Sequence, residues 1–257
     1  MQQGARLQTI NPHWLWKDQA YCTAENPWEC YFGNIEPTCT TPVASITNVT
    51  DPRRQDLRCQ RLQSNDNHTL VDFRAATMEY FFANLQPLVL QEAQRQIGLL
   101  FPGGIVPSNL ITVHLRWGDK FWEMDLVPAQ QYVEAVQQLL NTTSSEHVHI
   151  YLACEDPRAV EAFQQAAPPH WHIYVDRTVA ELDMVRPTRG NRASWTTRNT
   201  QGRAGLVALG SLLVALEANS FVLTTASNWS RLMNVLRQRF LEQDGPTRMI
   251  DLRPGEW

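Results

Sequence analysis

Leu110-Ile111-Thr112-Val113-His114-Leu115-Arg116 is an apolar, β-branched run, and Trp117-Gly118-Asp119-Lys120 interrupts it with charge and a glycine. Such a run bounded by a polar turn reads as a strand. The chain then repeats the pattern. Pro128–Asn141 has the spacing of an amphipathic helix, Val148–Cys154 is a strand, Pro157–Ala167 a helix and His170–Val175 a strand. A polar stretch from Asp183 to Arg203 follows. Beyond it come an apolar helix Gly205–Ala218, a strand Phe221–Thr225, a helix Trp229–Gln243 and a last short strand Met249–Leu252. Strands alternating with helices of about 10–15 residues predict an α/β fold, a Rossmann-like doubly wound parallel sheet.

Upstream of this alternation, Phe73, Met78, Phe81, Phe82, Leu85, Leu88 and Leu90 recur at helical spacing, so one long helix is expected from Val71 to Leu100. Pro87 should kink or divide it, and Phe101-Pro102-Gly103-Gly104 should stop it. Residues 1–69 lack sustained periodicity and are rich in Pro, Asn, Thr, Cys and Trp. They read as an irregular cysteine-containing segment, set apart from an α/β domain over 70–257. Cys22, Cys30, Cys39 and Cys59 lie there, while Cys154 stands alone much later. The absence of any C-x-x-C spacing argues against a zinc site, and four cysteines allow three pairings.

Four glycosylation triplets begin at Asn48, Asn67, Asn141 and Asn228. Together with the clustered cysteines they point to a glycoprotein of the secretory-pathway lumen, where disulfides persist. Met1-Gln2-Gln3-Gly4-Ala5-Arg6 is not an apolar signal segment, and the apolar run Gly205–Ala215 is too short to span a bilayer. A luminal location therefore implies a membrane anchor upstream of this sequence. With 22 basic and 26 acidic residues the formal charge is 22 − 26 = −4, and no basic block suggests a nucleic-acid partner.

In a doubly wound sheet, ligands bind beyond the carboxyl ends of the strands. Three polar strand ends qualify: Arg116–Glu123, Cys154–Asp156 and Thr225–Ser230. Arg116 offers a planar fork of donors suited to phosphate oxygens, and Gly118 allows a sharp turn or a close approach to a ligand. Asp119 can orient Arg116 or Lys120, and Lys120 can add charge where a phosphate leaving group develops its own. Glu123 and Asp125 are carboxylates placed to act as a general base. An exposed turn with an incidental ion pair would carry the same residues. His114, inside the strand, reads first as a satisfied core histidine. Asp156 before Pro157 has the arrangement of a helix N-cap, and Glu155 or Asp156 could also meet a base or ribose hydroxyl. Cys154 reads as a buried thiol without a histidine partner. Thr224-Thr225-Ala226-Ser227-Asn228 leads into a helix and can cap it or present its N-terminus to a phosphate. An Asn228 in that crevice would leave its glycosylation triplet unused.

Equally informative is what the sequence lacks: a P-loop, a G-x-S-x-G elbow, an H-E-x-x-H pair and any Asp-x-Asp. Cationic side chains would then have to stabilise a diphosphate leaving group. His114, Arg116, Asp119 and Lys120 resemble the H-x-R-x-x-D-K motif of the α-1,6-fucosyltransferases of N-glycan cores and Nod factors. Tyr151-Leu152-Ala153-Cys154-Glu155-Asp156-Pro157 is similar to that family's Y-L-A-x-D-D-P motif, and Thr225-Ala226-Ser227-Asn228 to its T-x-S-S motif. Order and spacing agree over roughly residues 70–243. Trp117 departs from the family, which often carries a second arginine there. A Gly-rich strand–helix segment expected upstream of the cysteines is absent from this sequence.

The resemblance implies the donor-binding half of a GT-B glycosyltransferase, with residues 1–69 a remnant of the acceptor-side domain. It implies transfer of fucose from GDP-fucose to a glycan or glycoprotein acceptor, with inversion, no required metal and no further cofactor, in the Golgi lumen. Arg116 would bind the diphosphate, and Lys120 with Glu123 would serve acceptor activation. His114, Asp119, Asp156, Thr225, Ser227 and Asn228 would contribute to substrate binding. The competing expectations are a protein O-fucosyltransferase or other GDP-sugar transferase, and a non-catalytic glycan-binding or scaffold protein derived from the same fold.

Overall fold

The structure, a computed structural model of the 257-residue chain, describes residues 17–23, 28–33, 70–118, 124–140, 147–176, 199–242 and 245–255. Five strands, β1 (Leu110–His114), β2 (His149–Ala153), β3 (His172–Val175), β4 (Ser220–Leu223) and β5 (Arg248–Asp251), form one sheet in the order β3-β2-β1-β4-β5. Every pairing is parallel, with Val113 opposite Leu152 on one side and Val222 on the other. All the strands expected from the sequence are present. β1 leaves the ladder earlier than Arg116; beyond its end the Leu115 N–H still donates to Ala153 O at 3.1 Å.

Strand side chains alternate between faces, so a sheet covered on both sides needs apolar residues at both parities. Ile111, Val113, Leu115, Ile150, Leu152 and Val222 pack with helices α4 (Ala129–Leu140) and α5 (Pro157–Ala166). Leu110, Tyr151, Phe221 and Leu223 face the other way, against α3 (Pro87–Leu100), α6 (Arg203–Ala215) and α7 (Asn228–Leu236). The doubly wound sheet is the Rossmann-like arrangement expected from the alternating pattern.

Pro87 divides the upstream helix as its missing N–H dictates. α2 (Leu70–Ala83) ends before it, and Pro87 opens α3, where no intrahelical donor is required. α6 begins two residues earlier than the apolar pattern suggests, at Arg203, because Thr200 Oγ1 accepts from the Ala204 N–H at 3.2 Å. Gly202 precedes it at φ 88, with Lys17 O so close that a Cβ would lie 1.9 Å from it. Past Leu236 the helix widens into a π turn, Arg237–Leu241.

Part of the cysteine segment rests on this domain. Cys22 and Cys30 form a disulfide, and α1 (Glu29–Phe32) inserts Tyr31 and Phe32 beside Val89 of α3 and Leu206 of α6. Trp28 stacks on Phe81 at 5.1 Å between ring centroids. The Tyr31 hydroxyl accepts from the Asp18 N–H at 2.8 Å, and burial pushes its pKa up to about 12. Cys39, Cys59 and the triplets at Asn48, Asn67 and Asn141 lie outside the described residues. Among the described residues no helix is long and apolar enough to cross a membrane.

Candidate functional site: the carboxyl edge between β1 and β4

From β1 the chain moves through β2 to β3 at one edge, then returns to place β4 and β5 on the other side of β1. The reversal puts the topological switch point between β1 and β4. In open α/β sheets the ligand crevice opens there, because the loops leaving the two strands diverge to opposite faces. The β1 loop runs to α4 and the β4 loop to α7.

A ring of hydrogen bonds closes the floor of this switch point. His114 points from β1 to the first turn of α7, with its Nδ1 2.6 Å from Ser230 Oγ. Ser230 Oγ also accepts from the Thr224 N–H at 3.1 Å. Thr224 Oγ1 lies 2.7 Å from the Tyr132 hydroxyl of α4, which also hydrogen-bonds the Arg116 backbone. All four side chains are buried. Burial, reinforced by the Arg116 charge, lowers the His114 pKa to about 3, so its imidazole is neutral at physiological pH. His114 is thus the satisfied core histidine that its strand position suggests, tying β1 to α7.

Arg116 stands at the rim above this floor, half-buried, with Nη1 donating to Trp117 O at 2.7 Å. Trp117 Nε1 donates to Val127 O at 2.8 Å, folding the loop back on itself. Gly118 adopts φ 77, a left-handed conformation that favours glycine. Asp119, Lys120 and Glu123 lie outside the described residues. Asp125, further along the loop, is exposed and pairs with Arg253 Nη2 at 3.1 Å.

At the end of β2, Asp156 caps α5 by accepting from the Arg158 N–H at 3.0 Å, with Pro157 at the first helical position. Its other oxygen takes Arg158 Nη2 at 2.8 Å, so the buried carboxylate is engaged with the helix it caps. Glu155 beside it is exposed. Burial pushes the Cys154 thiol up to about 12, which makes it a poor nucleophile. At the end of β3, Asp176 accepts from the Tyr151 hydroxyl at 2.9 Å, and burial and that carboxylate push the tyrosine pKa well above its ordinary value.

The β4 end divides its residues between two tasks. Thr225 serves the chain's last described segment. Its N–H donates to Asp251 Oδ1 at 3.0 Å, its hydroxyl bonds Asp251 Oδ2, and its oxygen accepts from the Gly255 N–H at 2.9 Å. Ser227 is the N-cap of α7 but makes no side-chain cap hydrogen bond, and Asn228 is exposed, its Oδ1 accepting from Arg231. Tyr132, Asp251 and Arg253 are not among the site residues expected from the sequence, and Ser230 is marked only as the end of the polar stretch Thr225–Ser230. Asp251 and Arg253 carried a usable signal, since the first ends and the second follows a short strand, as Arg116 follows β1. Ser230 closed the polar strand end Thr225–Ser230 but carried no mark of its bond to His114, and nothing marked Tyr132 among the polar and apolar residues of its helix.

Fold and edge define a Rossmann-like parallel α/β domain with a hydrogen-bonded floor and Arg116 at the rim of its switch point. Among the described residues no group of three or more His, Cys, Asp or Glu side chains is arranged to hold a metal ion. No family description matches the chain, and no curated protein matches it in sequence. Among solved structures the chain is similar to the alpha-1,6-fucosyltransferase NodZ, in a crystal soaked with GDP-fucose. The two share 13% identity with a TM-score of 0.46, over 72% of this chain and 57% of that one. The chain thus spans little more than half of that protein's length.

Proposed function

We propose that the chain is the donor-binding half of an inverting glycosyltransferase that moves fucose from GDP-fucose to a hydroxyl of a glycan. One observation carries the reading: Arg116 and the uncapped N-terminal turn of α7 follow the two strands that flank the switch point, at the positions where the fucosyltransferase-like motifs fall. A guanidinium and a helix N-terminus are both suited to phosphate oxygens. In the reaction the acceptor oxygen attacks the anomeric carbon and its proton passes to a carboxylate. The bond from that carbon to the β-phosphate oxygen breaks, and its electron pair leaves with GDP. Arg116 and Lys120 offset the charge that develops on the diphosphate. Glu123 is the proposed base; Asp125, paired with Arg253, is the alternative on the same loop. The Cys22–Cys30 disulfide supports an oxidising compartment such as the Golgi lumen.

Calorimetric titration with GDP tests the reading. Binding is expected, accompanied by stabilisation of about 2.7 kcal/mol at a hundredfold excess over Kd. Arg116→Ala should weaken binding at least about tenfold through loss of a charged hydrogen bond. Absence of binding by both GDP and GDP-fucose sinks the proposal. Competition by other GDP-sugars at equal affinity would move the donor away from fucose.

A further inference from the structure

Arg253 joins the two sides of the switch point. Its backbone is fastened to the β4 side: its carbonyl accepts from the Ala226 N–H at 2.8 Å, and its own N–H donates to Asp251 Oδ1 at 3.1 Å. Two residues on, Gly255 lies so close that a Cβ would sit 2.6 Å from Ala226 Cα and 2.9 Å from Thr225 O. The side chain leaves this fixed base and reaches the loop that follows Arg116, where Nη2 meets Asp125 Oδ2. The anchor is rigid, but the tip is not buried. The Arg253 side chain is 45% exposed and that of Asp125 94%. An ion pair this open to water holds its partners weakly. A phosphate, with more oxygens and more charge than a carboxylate, competes well for the same guanidinium.

A diphosphate carries more charge than one guanidinium neutralises, and its two phosphorus centres call for donors from two directions. Arg116 approaches from the β1 side. We infer that Arg253, anchored on the β4–α7 turn and facing Asp125, is the second guanidinium of the diphosphate site. The inference rests on the donor reading of this edge for the identity of the nucleotide. On ligand entry the guanidinium exchanges the Asp125 carboxylate for phosphate oxygens, and no covalent bond changes.

The probes are inorganic pyrophosphate and GDP, titrated calorimetrically into the whole chain and into Arg253→Ala, Arg253→Lys and Asp125→Asn. Both Arg253→Ala and Asp125→Asn break the same ion pair, so a merely structural role predicts the same change in both. A diphosphate role predicts opposite changes. Arg253→Ala should weaken pyrophosphate binding at least about tenfold, as expected on losing a charge-assisted contact. Asp125→Asn, which removes the competing carboxylate, should leave binding equal or tighter, and Arg253→Lys should retain part of it. Parallel loss in Arg253→Ala and Asp125→Asn, unchanged binding in Arg253→Ala, or no pyrophosphate binding by the parent chain each overturns the assignment. Pyrophosphate binding with the expected split but no binding of GDP would leave Arg253 assigned and remove the fucosyl donor reading instead.

Discussion

Two of the buried polar networks among the described residues are built from different chemistry. Between α3, α6 and the cysteine segment the network is ionic. Glu92 takes Arg95 Nη2 at 2.6 Å and Arg203 Nη2 at 2.9 Å, while Gln96 Nε2 donates to it at 2.9 Å. Arg203 also pairs with Asp18 at 3.6 Å and lies over the Tyr21 ring. Burial raises the Glu92 pKa, but these neighbours outweigh it and hold the carboxyl below its usual range. Beneath the switch point, by contrast, His114, Ser230, Thr224 and Tyr132 are all neutral hydrogen-bonding groups. A buried charge demands a countercharge beside it, whereas neutral donors and acceptors satisfy one another. The ionic network spends its charges on fastening one segment to another. The neutral floor holds the Arg116 backbone through the Tyr132 hydroxyl.

The contrast can be broken most directly at Arg203. Arg203→Ala leaves the Glu92 and Asp18 carboxylates in a buried site with one cation fewer, and should cost about 3 kcal/mol in urea unfolding. A loss below about 0.5 kcal/mol would mean that these carboxylates behave as surface groups, and the ionic description would fail.

The neutral floor is tested by pH. His114 has a folded pKa of about 3 against an ordinary 6.5, so between those values the unfolded chain binds a proton that the folded one refuses. The stability contributed by the neutral imidazole is complete above about pH 6.5 and is lost as pH falls toward 3, at about 1.4 kcal/mol per unit. Between pH 6.5 and pH 5 this contributes about 2 kcal/mol to the loss. His114→Asn should flatten that part of the slope in urea unfolding. Equal slopes in parent and variant would show that His114 takes up its proton in the folded state.

The smallest expected change sharpens the comparison. Tyr132→Phe removes the hydroxyl that links Thr224 to the Arg116 backbone without adding or removing charge. It should cost about 1 kcal/mol in the same assay, with no change in the slope against pH. A pH-dependent loss would mean that the two sides of the floor are coupled through ionisation and not through neutral hydrogen bonds.

Much of this architecture was legible one segment at a time. Val148–Cys154 and Phe221–Thr225 announce buried strands by composition, Pro87 announces a break in the upstream helix, and Asp156-Pro157 announces a cap that the structure contains. Each signal is local, since a strand, a helix turn or a cap involves residues a few positions apart. The candidate site was legible in part. Arg116 and Ser227 could be marked because polar residues at strand ends of an α/β sheet lie where ligands bind. The partners of His114 and Thr225 could not, because a ring or a hydroxyl meets residues far along the chain.

The sequence by itself determined that this protein alternates strands and helices and that charge gathers where the strands end. Side-chain periodicity and backbone propensity act over a few residues, so they need no tertiary information. Only the tertiary structure decided that β4 lies beside β1 and thereby created a switch point. It also decided that Ser230 meets His114 across 116 positions, Thr224 meets Tyr132 across 92, and Arg253 meets Asp125 across 128. Such pairings depend on approaches within hydrogen-bond distance after the sheet has formed, and composition and spacing carry no record of them.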